Sequence, residues 1–96
     1  MKVLHLTLKK KWFDMILSGE KKAEYREVTE YWRIRLVGKN FDAILFKNGY
    51  GKNAPQMLVE LCSLSRSLGI IEWGAPENKM VYILTLGKTL KTDNLK

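Results

Sequence analysis

Three strand-like segments follow one another in the second half of the chain with no helical pattern between them. Apolar residues alternate with polar ones in residues 41–48, 56–67 and 80–90. The two connections, "GYGKNAP" and "GIIEWGAPENK", are rich in Gly, Pro and Asn and are too short to hold a crossover helix. Strands connected in this way pair antiparallel. This half of the sequence therefore predicts an antiparallel sheet.

The first half of the chain alternates between strand and helix patterns. Residues 3–8 alternate, as in a strand with one face in the core, and residues 10–18 have apolar side chains, Trp12 among them, at helical spacing. The segment "KKAEYRE" alternates again, and Thr29 is the predicted N-cap of a second helix at residues 30–37. The predicted order is β-α-β-α-β-β-β in one domain, residues 1–90, followed by a polar tail, residues 91–96. Five short strands predict an α+β fold, a small and mainly antiparallel β-barrel with two or three short flanking helices.

Charge and cysteine content restrict the possible partners. Seventeen Lys and Arg against ten Asp and Glu give a net charge of +7, which favours an anionic partner such as RNA or a nucleotide. The one cysteine, Cys62, cannot form an internal disulfide, and we interpret it as a core residue of a reduced, cytoplasmic protein. One Cys and one His are too few for a zinc site, so no metal or cofactor is expected. We expect no membrane partner, because no apolar run reaches transmembrane length.

The strand-like segment "KKAEYRE" carries an unusual density of charge for an element between two helices. Alternation places Lys22, Glu24 and Arg26 on one face, where Glu24 and Arg26 can orient and compensate each other. Lys21 has the opposite parity and joins them only if the turn at residues 19–20 or a bulge redirects it. As a turn residue, Lys21 is expected to be less embedded than Arg26. The segment is either a polar site or a charge pair that only sets strand register.

The stretch "ILSGEKKAEYR" resembles the signature of the ASCH domain, a PUA-like small β-barrel. That signature is a helix ending in Ile-x-x-Gly, followed by Gly-x-Lys-x-x-Glu-x-Arg. The matching positions are Ile16, Gly19, Lys21, Glu24 and Arg26. The resemblance extends over nearly the whole chain and includes the first strand, the first helix and the last strand, "VYILTLGK".

The ASCH resemblance implies a polar cleft that binds RNA or a modified nucleotide, with Lys21, Glu24 and Arg26 as its floor and wall. Some family members are small amidohydrolases that deacetylate N4-acetylcytidine with a Lys, a Thr and a Glu. Here Glu24 stands in the place of that Thr, and a carboxylate cannot simply replace an activated hydroxyl in acyl transfer. A later loop supplies the second Glu, for which Glu72 and Glu77 are candidates. A binding module, an amidohydrolase using Lys21 and Glu24, and a ribonuclease all remain open.

The lysine run at the start of the first helix is a second candidate site. Positive charge is unfavourable at a helix N-terminus, so Lys9 and Lys10 would either help free backbone N–H groups to bind phosphate or form a solvated face. If the nucleic-acid interpretation holds, Lys9 to Lys11, Lys21, and Lys47 or Lys52 should surround one concave surface.

Two loops could complete the predicted cleft. Lys47, Asn48 and Tyr50 combine a cation, an amide and an aromatic ring suited to a splayed base, although the same residues suit an ordinary glycine-rich turn. Trp73 would either stack on a base or plug the barrel end. We interpret His5 as a packed strand residue rather than a catalyst.

Overall fold

The computed structural model describes residues 1–95 and has an α+β fold, as predicted. In chain order its elements are β1 (Val3–Leu8), α1 (Lys10–Leu17), β2 (Ala23–Glu27), α2 (Glu30–Leu36), β3 (Ala43–Asn48), β4 (Gln56–Leu68), a 3₁₀ turn (Ile71–Trp73) and β5 (Met80–Asp93). The predicted order of strands and helices is therefore confirmed, and both α-helices end one residue before their predicted ends.

All five strands belong to one sheet in the order β1-β3-β4-β5-β2. The β3-β4, β4-β5 and β5-β2 pairs are antiparallel, which confirms the prediction for the second half of the chain. The β1-β3 pair is parallel, with Val3 opposite Ala43, so the sheet is mixed. This parallel pair is possible because α1, β2 and α2 separate the two strands along the chain. The connection is therefore long enough for a crossover. Within residues 1–95 no ladder joins β1 to β2, so these are the edge strands.

The two longest strands, β4 and β5, are interrupted by irregularities in their pairing. Register shifts occur between Leu58 and Val59, Val59 and Leu61, and Leu61 and Ser63. Extra residues of this kind bend a strand and increase its twist. β5 continues beyond the predicted end at residue 90 to Asp93, which pairs with Gln56, so the predicted polar tail begins inside this strand. The tail's last residue, Lys96, lies outside the described residues.

The core fills the space between the sheet and the two helices. Its largest wholly buried side chains include Phe13 of α1 and Ile44 and Phe46 of β3. Thr29 caps α2 by accepting a hydrogen bond from the Trp32 N–H at 3.3 Å, as the sequence predicted for this helix start.

Two residues predicted to be packed are exposed. In β1 the alternate residues Leu4, Leu6 and Leu8 are buried, so His5 points the other way, and its interpretation as a packed residue is wrong. Cys62 is also exposed rather than part of the core. It lies in the irregular stretch of β4, beyond the last buried residue of that strand, Val59, where the bulges interrupt the alternation.

Candidate functional site

A cleft of about 280 Å³ lies where the two edge strands approach each other. The end of β1 contributes Thr7 and Leu8, with Lys9 beside them, and β2 contributes Glu24 and Arg26. In a flat five-stranded sheet, strands spaced about 4.8 Å apart would hold these edges about 19 Å from each other. Both edges border a single cleft, so the sheet is curled, and Trp12 of α1 lines the same cleft.

The turn after α1 positions Lys21 over this cleft. Gly19 adopts φ +87°, a left-handed conformation that ends the helix, and the Lys21 N–H donates to the Met15 carbonyl at 2.9 Å. The backbone is thereby redirected before β2 begins, and the Lys21 side chain lies with Glu24. The sequence predicted that Lys21 joins Glu24 and Arg26 only if the turn at residues 19–20 or a bulge redirects it, and the turn does so. The expectation that Lys21 is less embedded than Arg26 is wrong, because the two side chains are 1% and 16% exposed.

The Lys21 side chain is almost completely buried at the edge of the cleft. Its Nζ lies 3.1 Å from Glu24 Oε1 and donates a hydrogen bond to the carbonyl of Trp73. The ring centroids of Tyr25 and Trp12 lie 4.7 and 5.2 Å away, close enough for cation–π attraction. Burial lowers the pKa of Lys21, since it disfavours the charged amine; the nearby Glu24 carboxylate opposes this shift and the Arg26 charge adds to it.

Glu24 is held between two cations. Its Oε1 faces Lys21 and its Oε2 accepts a hydrogen bond from Arg26 Nη1, so both carboxylate oxygens are engaged. The side chain is only 6% exposed. Two cations against one carboxylate leave this triad with one net positive charge, which favours an anionic ligand over a cationic one.

Arg26 is the member of the triad that is open to a ligand. Its Nη1 also donates to the Tyr25 carbonyl at 2.7 Å, and its guanidinium lies 5.1 Å from the ring centroid of Trp32. In residues 1–95 no protein acceptor engages Nε or Nη2. Arg26 therefore has a fixed plane and an unoccupied edge.

Two aromatic residues that the sequence did not assign to the site line the cleft, Trp12 and Tyr25. Trp12 was interpreted only as an apolar helix residue, and Tyr25 has the parity opposite to Glu24. Both are placed by the loop before β5: the Tyr25 hydroxyl accepts a hydrogen bond from the Ile70 N–H at 3.0 Å, and Gly74 packs on the Trp12 ring. Both residues lie close in sequence to the charged motif, and this proximity was the signal that could have assigned them to the site.

The remaining predicted site residues divide into two groups. Lys9 and Trp73 line the cleft with the triad. Lys10 does not, and its ammonium pairs with Asp14 at 2.5 Å on the exposed side of α1. Glu72 and Glu77, the candidates for a second catalytic carboxylate, are exposed and lie outside the lining.

The loop after β3 lies away from the cleft. Tyr50 is 89% exposed, and neither it nor Lys47 or Lys52 is among the lining residues. Asn48 donates a side-chain hydrogen bond to the Leu8 carbonyl at 3.1 Å and so connects the end of β3 to the end of β1. Of the lysines predicted to surround one concave surface, Lys9 and Lys21 line the cleft.

In the described part of the chain, no group of three His, Cys, Asp or Glu side chains is placed to hold a metal ion. None of the helices in residues 1–95 has both the length and the apolar character needed to span a bilayer.

Comparison with known proteins does not assign the chain to a family. No family model matches it, and no match was found among curated proteins or solved structures. The ASCH resemblance thus rests on the sequence alone, on the motif at residues 16–26 and on the first strand, first helix and last strand.

Proposed function

We propose that the cleft binds a nucleotide or a single-stranded segment of RNA. The observation that carries this proposal is the triad of Lys21, Glu24 and Arg26, which places one excess positive charge beside aromatic side chains. The free guanidinium edge of Arg26 suits a phosphate, and the rings of Trp12 and Trp73 border the space in which a base would stack. The net charge of +7 supports the same ligand class.

We further infer that the fold is the PUA-like barrel that the ASCH resemblance implies. In this chain the barrel is interrupted between β1 and β2. The bulges of β4 and β5 and the shared cleft of the two edge strands support this inference. Nuclear Overhauser contacts between Leu8 and Glu24 or Arg26 would be expected in solution. A flat sheet, in which these residues are far apart, would show none of them and would contradict the barrel.

Intrinsic tryptophan fluorescence offers a direct binding test. Titration with nucleoside monophosphates and a short single-stranded RNA should change the emission, and the affinity should fall steeply with added salt. Arg26→Lys keeps the charge but removes the planar fork, and should weaken binding by about ten-fold. Lys52→Ala removes an exposed lysine outside the cleft and serves as the control. Equal affinities for both variants and the unmodified protein would exclude the cleft as the binding site.

A second candidate function is hydrolysis of an N-acylated nucleoside, with Lys21 and Glu24 transferring protons. The lowered pKa of Lys21 favours it, because a buried amine loses its proton more readily than an exposed one. Release of acetate from N4-acetylcytidine should then occur with the unmodified protein and stop in Lys21→Met. If the protein binds nucleotides but releases no acetate, the hydrolase function is excluded and the binding function stands.

A further inference from the structure

A second cavity adjoins the cleft on the far side of Arg26. Its volume is about 300 Å³, and we call it the outer lobe. Glu27, Pro76, Lys79 and Val81 line it. The cleft and the outer lobe share three lining residues, Tyr25, Arg26 and Gly74. The two spaces are therefore neighbours that share Arg26 as a boundary residue, and we call the pair the groove.

The dimensions of the two lobes favour a ligand that occupies both. Ordinary small-molecule sites begin at about 300 Å³, so each lobe alone is at the lower limit and only the two together lie well within the usual range. Gly74 borders both lobes without a side chain that could divide them. Its φ of +101° and its packing on the ring of Trp12 leave little room for any other residue.

The two lobes differ in chemistry. The cleft contains the buried triad and aromatic side chains, which suit a base. The outer lobe is more open: its Lys79 and Glu27 side chains are 61% and 69% exposed, with 4.0 Å between Nζ and Oε2. Such an exposed pair is weak, so Lys79 can turn from Glu27 to an anionic ligand at little cost.

Arg26 has the geometry to hold a phosphate between the lobes. Glu24 and the Tyr25 carbonyl hold Nη1, and Trp32 fixes the plane of the guanidinium. The edge formed by Nε and Nη2 has no protein acceptor in residues 1–95, and two parallel N–H groups on such an edge match two phosphate oxygens.

We propose that the groove binds two consecutive nucleotides of a single strand, with the bridging phosphate on Arg26, one nucleoside in the cleft and the other in the outer lobe. This inference rests on the proposed function and adds to it a minimum ligand length. A mononucleotide fills only one lobe. A dinucleoside monophosphate fills both lobes. Its one phosphate is a diester, so it carries less negative charge than the mononucleotide, and tighter binding cannot come from charge alone.

The test compares these two ligands by fluorescence titration of the full chain. A dinucleoside monophosphate should bind about ten-fold more tightly than the matching nucleoside monophosphate, because its second nucleoside gains contacts with Tyr25, Pro76 and Val81 in the outer lobe. Lys79→Glu places two carboxylates in the outer lobe, and should weaken the dinucleotide several-fold more than the mononucleotide. Lys52→Glu makes the same charge change at an exposed position outside both lobes, and should affect neither ligand.

The possible outcomes separate this inference from the proposed function. Mononucleotide binding with no gain for the dinucleotide would overturn the two-lobed site and leave the nucleotide-binding cleft standing. Equal losses in Lys79→Glu and Lys52→Glu would also overturn it, since general electrostatic attraction would then explain the affinity. Failure of both ligands to bind would overturn the proposed function together with the inference.

Discussion

Lys21 Nζ and Glu24 Oε1 lie 3.1 Å apart, and both side chains are almost completely buried. The pair is local in sequence, but its surroundings come from distant parts of the chain, since the Trp73 carbonyl accepts a hydrogen bond from Lys21. Arg26 completes the set on the solvent side. Burial gives each charge a large influence on its neighbours, and removal of one member changes the cost of burying the others.

Glu24→Ala should destabilise the protein by about 3 kcal/mol, because it leaves Lys21 buried beside Arg26 with no opposing charge. Glu24→Gln should cost less, as its amide oxygen still accepts one hydrogen bond. Urea denaturation followed by circular dichroism measures both changes. Glu30→Ala breaks an exposed pair with Arg33 and is the matched control, with a midpoint close to that of the unmodified protein. A midpoint for Glu24→Ala as high as that of the control would mean that Glu24 is not buried among charges.

Stability should rise with pH in the alkaline range because of Lys21. The folded-state pKa lies below the ordinary value of 10.5, so between these two pKa values the unfolded chain binds more protons than the folded protein. Deprotonation then relieves a burial cost that is fully present at lower pH. Denaturation of the protein and of Lys21→Met at several alkaline pH values below 10.5 should show the free energy of unfolding of the unmodified protein rising relative to that of the variant. Parallel pH profiles would show that Lys21 is not the source of any such rise.

Tyr25→Phe should lower the free energy of unfolding by about 1 kcal/mol and loosen the loop before β5, because the hydroxyl accepts the Ile70 N–H. Hydrogen exchange should become faster at the Ile70 amide. Tyr50→Phe removes the same hydroxyl from an exposed ring, and exchange at Ile70 should not change. Unchanged protection of Ile70 in Tyr25→Phe would show that this hydrogen bond does not hold the loop.

Gly74→Ala should destabilise the protein by about 1 to 2 kcal/mol. A Cβ atom would lie 3.1 Å from the Trp12 ring, on a residue whose φ of +101° is unfavourable for L-amino acids. The shift of Trp12 should also alter tryptophan emission. Gly51→Ala is the control, since its Cβ would meet nothing within 4 Å and its backbone has no positive φ. Equal melting temperatures for the two variants would contradict the close packing of Gly74 on Trp12.

Element order and several side-chain orientations follow from the sequence. Alternation in residues 3–8 predicted that one face of β1 lies in the core, and Thr29 predicted the start of α2. The same alternation paired Glu24 with Arg26 correctly. The sequence was less informative for His5 and Cys62, where it did not indicate which face of a strand would lie against the core.

The sequence by itself determined the succession of strands and helices and the charged composition of residues 21–26, because period and capping are local properties. The tertiary structure decided which residues surround those charges. The parallel pairing of β1 with β3, the curl that brings β1 and β2 to one cleft, and the position of Trp73 over Lys21 all depend on contacts between distant segments. Periodicity describes one element at a time and contains no information on how two sheet edges meet. Lys21 therefore belonged to a motif in the sequence, but only the fold made it the most deeply buried charge of the site.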